Sequence, residues 1–202
     1  VSPETAFVGD VHGNLPALRA IWEVLGDHGR PHAVFLGDYI NKGSQSAAVM
    51  NALLEFAHAG RATLLAGNHE VALLEALEAS DLTDFLKMGG AMTIRSYVGG
   101  PVGPDVLGDF SRAFPAEHLD ALRRMRDAYE TDDLIAQHDP RSGTTSKFRI
   151  SAHVPVGNEP LIGSDSAQLD TGCGADAGRL TALLWPSLRY VQVDTDGAIL
   201  LR

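Results

Sequence analysis

An α/β fold is the class this 202-residue chain predicts, on three observations. Short apolar runs at Thr5–Val8, Ala33–Leu36 and Ala62–Leu65 have the length and composition of strands. Each run leads into a polar, glycine-bearing segment: GDVHG at 9–13, GDYINKG at 37–43 and GNHE at 67–70. A stretch of helical period follows each segment, so the first 80 residues read β-α-β-α-β-α. Open α/β sheets bind ligands at the carboxyl ends of their strands, where all three segments fall.

The elements follow in order. Asn14 can cap a helix with Pro16 in its first turn, and Leu18, Ile21, Trp22 and Leu25 recur at helical spacing before Gly26. Ser46–Ala59 places Ala47, Met50, Leu53, Leu54 and Ala57 on one face, with Gly60 beyond its end. Val71–Ala79 continues as helix after GNHE. Residues 81–130 read as a helical insert, punctuated by Gly89-Gly90 and Gly99-Gly100-Pro101, with Phe114-Pro115 opening a helix that carries Leu119, Leu122 and Met125. Short strands then dominate: Leu134–Ala136, Phe148–Ser151, Leu161–Ile162, Gln168–Asp170, Leu180–Leu184, Arg189–Val193 and Ala198–Leu201. Asp194–Gly197 forms the hairpin turn between the last two. With no repeat, low-complexity tract or linker, residues 1–202 are expected to form a single domain with one core.

Composition narrows the partners. Apolar content of 45% and charged content of 21% are ordinary for a globular protein. A formal charge of −10 argues against a nucleic-acid surface, and Arg123, Arg124 and Arg126, the one local cluster of arginines, read as a solvated helix face. No apolar run approaches the roughly 18 residues that span a bilayer, so no membrane partner is expected. No signal peptide is visible before the first segment, and the single cysteine, Cys173, fits a reducing compartment, so a cytoplasmic location is expected. Oligomeric state is not legible.

The polar segments suggest metal chemistry. Asp10 and His12 sit two apart in a turn, so both can reach one ion while Val11 points into the core. Asp38 ends the next strand and can bridge two ions through its two carboxylate oxygens, and Asn68 offers a neutral amide oxygen to the second. His69 would then be placed to protonate a leaving alkoxide. A second ion needs more donors, and His138 and His153, at or just past strand ends, are the candidates. His28, His32, His58 and His118 fall in loops or on helix surfaces and are not expected to ligate. An acidic protein that works on phosphate needs a strong local positive source, and paired divalent ions supply one.

Together the three segments resemble the metallophosphoesterase superfamily, in its bacterial-type phosphoprotein (serine/threonine) phosphatase branch. That pattern is GDxHG, GDxVDRG and GNHE, followed by one His in an HAG-like and one in a GHTPV-like element. Here these later elements are Gln137-His138-Asp139-Pro140 and Ser151-Ala152-His153-Val154-Pro155-Val156. The resemblance extends to Leu169-Asp170-Thr171-Gly172, to the stretch Gly178–Leu183, and to Met88-Gly89-Gly90-Ala91 with Ile94-Arg95-Ser96-Tyr97. It implies a four-layer α/β/β/α sandwich of the calcineurin-like type with a dinuclear site between two sheets. By motif match, Asp10, His12 and Asp38 hold the first metal, and Asp38, Asn68, His138 and His153 the second. The implied reaction is hydrolysis by a metal-activated hydroxide, with His69 as general acid and no phosphoenzyme. Mn²⁺ is the expected metal, with Fe or Zn²⁺ also suited to such N/O donors.

The chain departs from that pattern in ways that bear on activity. Asn41 replaces the Asp that pairs with the GNHE histidine, so His69 should be less basic and good leaving groups favoured. Lys42 replaces a phosphate-clamping Arg, keeping charge but losing the planar fork. Only 14 residues separate His138 from His153, in place of a longer segment that carries a second phosphate-contacting Arg; Arg141 or Arg149 can stand in. Asp139 adds negative charge beside a metal ligand. Lys42, Asn68 and Arg141 are thus the expected substrate contacts, with His69 and Asn41 the catalytic pair. The leading expectation is a phosphomonoesterase acting on phosphoserine or phosphothreonine protein. The alternatives are hydrolysis of nucleotides, such as diadenosine polyphosphates or cyclic phosphodiesters, and a catalytically impaired metal-binding homologue.

Overall fold

The structure is a computed structural model that describes residues 4–140 and 145–201. Its first half runs β1 (Thr5–Val8), α1 (Leu15–Asp27), β2 (His32–Phe35), α2 (Ser46–His58), β3 (Ala62–Leu64) and α3 (Asn68–Ala79). Four short helices follow: α4 (Thr83–Lys87), α5 (Ala91–Val98), α6 (Val106–Ala113) and α7 (Ala116–Arg124). The remainder is β4 (Ala128–Glu130), β5 (Leu134–Gln137), β6 (Phe148–Ser151), β7 (Leu161–Ile162), β8 (Ser166–Gln168), β9 (Arg179–Trp185), β10 (Arg189–Asp194) and β11 (Ile199–Leu201).

Two sheets form. The first has the order β11-β10-β9-β1-β2-β3, and the second β4-β5-β6-β8-β7. Strands β1, β2 and β3 are parallel, and β9 lies antiparallel beside β1. In the second sheet β5, β6 and β8 run parallel, so their carboxyl ends also share one edge.

Strand periodicity decides which core each side chain joins. Ala6, Val8, Ala33, Phe35, Ala182 and Leu184 pack toward the helices with Leu18, Ile21, Val49 and Leu53. Phe7, Val34, Leu36 and Leu183 turn the other way and meet Leu134, Ala136, Phe148 and Ile150 of the second sheet. Helices therefore cover one face of the first sheet, with α1 against β9, β10 and β11, and α2 against β3. The other face carries the second sheet, and the α/β sandwich is as expected. Among the described residues no helix joins the core between the sheets.

The local signals act as read, with shifts at some boundaries. Asn14 caps α1, its side-chain oxygen accepting the Ala17 N–H at 2.9 Å. The Asp194–Gly197 turn closes with Gly197 N–H donating to the Asp194 carbonyl at 3.1 Å. Helix α3 starts at Asn68, earlier than the expected Val71, because the Glu70 side chain folds back onto the Gly67 N–H at 3.0 Å and stabilises the first turn. Strand β4 was not foreseen; it is three residues long, ends in Glu130, and is held by antiparallel pairing with β5. His118 lies in α7 but is buried, not on a surface as expected, because Asn51 and Tyr97 satisfy both of its ring nitrogens at 2.8 Å. His32 begins β2 instead of lying in a loop, and its Nε2 meets the Thr63 hydroxyl at 2.9 Å.

Candidate metal centre

The loops after β1 and β2 are stitched together by their backbones. Val11 and His12 N–H both donate to the Asp38 carbonyl, at 3.1 and 2.9 Å, and Gly13 N–H donates to Tyr39 at 2.7 Å. Glu70 ties in the third loop: its buried carboxylate accepts from the backbone N–H of Asp38 at 2.7 Å, Tyr39 at 2.9 Å and Gly67 at 3.0 Å. Gly37 makes the close approach possible, since a Cβ there would sit 2.5 Å from the Gly67 nitrogen. The reach is obtained through unusual backbone: His12, Asp38, Asn41, Lys42 and His153 have φ of 46°, 55°, 66°, 53° and 70°. Such left-handed geometry in non-glycine residues costs about 1 kcal/mol or more apiece and clusters where a site over-determines it.

The side chains converge on Asp38 from two sides. On one, His12 Nε2 is 3.5 Å from Asp10 Oδ2 and 3.7 Å from Asp38 Oδ2. On the other, His138 Nε2 is 3.3 Å from Asp38 Oδ1 and 2.9 Å from Asn68 Oδ1, and His153 Nδ1 is 3.0 Å from the same Asn68 oxygen. All six residues expected as metal ligands are thus brought together, as two donor clusters that share one carboxylate. Two tautomers follow from the partners. His12 Nδ1 faces the Ile40 carbonyl at 3.0 Å and His138 Nδ1 the Leu36 carbonyl at 3.1 Å. A carbonyl only accepts, so both rings carry their proton on Nδ1 and turn an Nε2 lone pair into the site.

The remaining expected residues fall as follows. His69 Nε2 lies 3.7 Å from Asp38 Oδ2, and Asn41 Nδ2 lies 2.5 Å from His69 Nδ1. Lys42 Nζ sits 2.7 Å from His12 Nε2, at the first cluster. Arg141 lies outside the described residues. Arg149 alternates with Phe148 and Ile150, so it faces out of the inter-sheet core, where it pairs with Asp165 at 3.5 Å. Asp139 is exposed. Cys173 is a buried thiol donating to the Val11 carbonyl at 3.4 Å. Arg123 and Arg124 are exposed in the last turn of α7, as read, and Arg126 is exposed beyond it, its backbone bridged to Leu65.

Burial sets the electrostatics. It raises Asp10 well above the usual carboxylate range, with the Asp170 carboxylate adding to the shift. It raises Asp38 to about 8, reinforced by Glu70 and Asp10. The imidazoles move the other way: burial and then His153 lower His138 to about 3, and burial and then His12 lower His69 to about 4. Buried, neutral imidazoles and crowded carboxylates form a donor set short of positive charge, which divalent cations relieve. The buried Oδ2 of Asp10 has no hydrogen-bond partner among the described residues and is directed at no proton donor, as suits a ligand atom. Asp38 with His12 and His69, and Asp38 with His138 and His153, each lie close enough to hold one ion. The residues present therefore fit two divalent metals.

Donors grouped around a shared carboxylate at the rim of two facing sheets define a two-metal hydrolase site. The profile of the calcineurin-like phosphoesterases matches residues 4–182, and the chain belongs to that family of metal-dependent phosphoric ester hydrolases. A protein phosphatase 2A catalytic subunit from Dictyostelium discoideum is 39% identical over 71 residues, 34% of this chain and 22% of that protein. A zinc-dependent endopolyphosphatase from Saccharomyces cerevisiae is 32% identical over 95 residues, 46% of this chain and 28% of that one. The matched stretch thus spans under a third of these relatives' own length. Among solved structures, a candidate diadenosine tetraphosphatase superposes with a TM-score of 0.69 at 17% identity, covering 96% of this chain and 94% of that one. A cold-active protein tyrosine phosphatase superposes with a TM-score of 0.61 at 14% identity, covering 98% and 78%. These two likenesses speak to the fold.

Sequence reasoning passed over Glu70, Thr93 and Asp170. Glu70 had a signal, an acidic residue opening a helix, but its bonds to Asp38 and Tyr39 reach more than 30 positions along the chain. Thr93 sits between the two stretches that carried the resemblance, and nothing local marks its hydroxyl. Asp170 is buried with Oδ2 unpartnered among the described residues, which only the fold makes visible.

Proposed function

We propose that this chain is a dinuclear phosphatase of a single domain, hydrolysing phosphomonoesters, with phosphoserine or phosphothreonine protein as its leading substrate class. The observation that carries the proposal is the shared Asp38, with Asp10 and His12 on one side and Asn68, His138 and His153 on the other. Two divalent ions, when bound, supply charge neutralisation and an ionised water nucleophile at neutral pH; Mn²⁺ is our first choice, with Fe or Zn²⁺ compatible. The chain's own residues do the rest. Asp10, His12 and Asp38 would hold one ion, and Asp38, Asn68, His138 and His153 the other. Lys42 offers its ammonium to the phosphoryl oxygens as a point charge without bidentate orientation. His69 presents its Nε2 to the leaving oxygen, and Asn41 positions that ring. Arg141 is a candidate second phosphate contact. Identity of 39% over 71 residues to a catalytic polypeptide of protein phosphatase 2A supports the substrate class, and the lone cysteine fits a reducing compartment such as the cytoplasm.

A second reading, hydrolysis of phosphoanhydrides such as diadenosine polyphosphates, is favoured by one observation. An amide, not a carboxylate, faces His69 Nδ1. Without a carboxylate the ring is less readily protonated to serve as a general acid, and an anhydride leaves without one. Phosphate release from a phosphoserine peptide and from diadenosine tetraphosphate, with Mn²⁺, a chelator control and Asp38→Asn, tests both. Metal-dependent release from the peptide supports the first reading; release from the dinucleotide alone replaces it with the second. No release from either substrate by the metal-loaded protein rejects both.

A further inference from the structure

A carboxamide's two ends are told apart by their partners, and at Asn41 the partners leave one solution. One terminal atom lies 3.2 Å from the Met88 carbonyl oxygen, which can only accept, so that atom is the nitrogen. The same nitrogen is 2.5 Å from His69 Nδ1, so Nδ1 is the acceptor and carries no proton. The other terminal atom, Oδ1, lies 2.7 Å from the Thr93 hydroxyl. Thr93 Oγ1 already takes the Asn41 backbone N–H at 2.9 Å and lies 3.1 Å from Ser46 Oγ. With Ser46 donating, both lone pairs of Thr93 are used and its one proton is committed to Asn41 Oδ1.

From this geometry we infer that Thr93 is a positioning residue, which locks the Asn41 amide with its NH₂ toward His69 and so fixes His69 as the Nε2–H tautomer. Asn41, Ser46 and Thr93 are each 0% exposed, so water does not substitute for any of these bonds. Turning the amide over would set its oxygen against the Met88 carbonyl, and would make Thr93 swing its proton from Asn41 to Ser46 to accept the NH₂. The first change leaves two buried acceptors facing each other without a proton. The lock also ties helix α5, through Thr93, to the loop after β2. Its consequence for catalysis rests on the phosphatase reading: His69 presents an N–H to the leaving oxygen without first taking up a second proton. Aryl phosphates and phosphoanhydrides, whose leaving groups depart with a hydrogen bond alone, are then turned over faster than alkyl phosphates such as phosphoserine, so rate and physiological substrate are separate questions at this site.

Ring-¹⁵N NMR of the histidine-labelled full chain, both chelated and loaded with diamagnetic Zn²⁺, reads the tautomer without reference to activity. His69 Nδ1 is expected in the unprotonated, pyridine-like range and Nε2 in the pyrrole-like range. Thr93→Val should shift both toward averaged values, and Thr93→Ser should restore them. A wild-type spectrum with Nδ1 protonated, or a Thr93→Val spectrum identical to wild type, overturns the proposal. Should Thr93→Val fail to fold, Asn41→Asp serves instead: its carboxylate can only accept, so the proton must move to Nδ1, and an unchanged spectrum is equally fatal. In the Mn²⁺-loaded protein, Thr93→Val should lower kcat/KM for phenyl phosphate roughly tenfold and for 4-nitrophenyl phosphate far less. The expected spectra without hydrolysis of any phosphate would reject the phosphatase reading and leave the tautomer lock standing.

Discussion

The two donor clusters share Asp38 yet are held in place by different means. The first is built within one sheet, by backbone hydrogen bonds between the loops after β1 and β2 and by the Glu70 brace. The second borrows His138 and His153 from the other sheet, and their positions depend on the apolar packing of Phe7, Val34 and Leu36 against Leu134, Ala136 and Ile150. Local hydrogen bonding fixes the one, and non-directional burial sets the other. The comparison teaches that a two-ion site can be damaged at one ion without touching the other, through residues that ligate neither.

Removing the shared residue breaks both clusters at once. Asp38→Asn should lower metal-dependent phosphate release by on the order of 10³-fold, and calorimetric titration should show both binding steps weakened. Ile150→Ala opens a cavity between the sheets, so the protein should lose about 3 kcal/mol in urea unfolding. The second binding step should weaken while the first stays near wild type; equal loss at both steps would refute the distinction between the clusters. Glu70→Gln attacks the other side. One amide oxygen must serve the four backbone donors of Asp38, Tyr39, Ile40 and Gly67, so stability should fall by about 2 kcal/mol and the first step should suffer more.

Acid–base linkage sharpens the contrast further. In the chelated protein the folded state keeps a proton on Asp38 up to about pH 8, whereas the unfolded chain releases it near 3.8. Folded protein thus binds more protons across that window, and stability falls as pH rises through it. The buried imidazoles oppose this at lower pH: His138 and His69, lowered to about 3 and about 4, refuse protons that the unfolded chain accepts below 6.5. Their contribution grows with pH and is complete near neutrality, so from pH 6.5 to 8 only the carboxylate contribution remains. The thermal midpoint of the chelated protein should drop by a few degrees over that span, and excess metal should abolish the drop. The smallest effect belongs to a residue outside both clusters. Asn14→Ala removes the α1 cap and should cost about 1 kcal/mol with metal binding unchanged.

Much of this molecule is legible in its sequence because the strand–loop–helix units of the first half carry local signals. Asn14, Gly60 and the apolar period of α1 and α2 act through neighbours a few positions away. The donors could be named for the same reason, since Asp10, His12, Asp38 and Asn68 follow strands and His138 and His153 stand at or just past strand ends, while the division of all six between two ions came from the resemblance. What escaped depends on contacts between distant residues. Strand β4 exists only through β5, His118 is buried only because Asn51 and Tyr97 meet it, and Thr93 acts on a residue 52 positions away. Propensity and pattern carry no information about such partners until the chain has closed.

The pairing of β1 with β9 also dictates a timetable for synthesis. The central strand of the first sheet is made at residues 5–8, but its antiparallel neighbour is Arg179–Trp185. A nascent chain that has exposed the last donor of the first cluster, Asp38, must wait about 140 residues for the strand that pairs with that edge of β1. During that wait β1 presents an open, apolar edge, the condition under which chaperones engage a growing polypeptide.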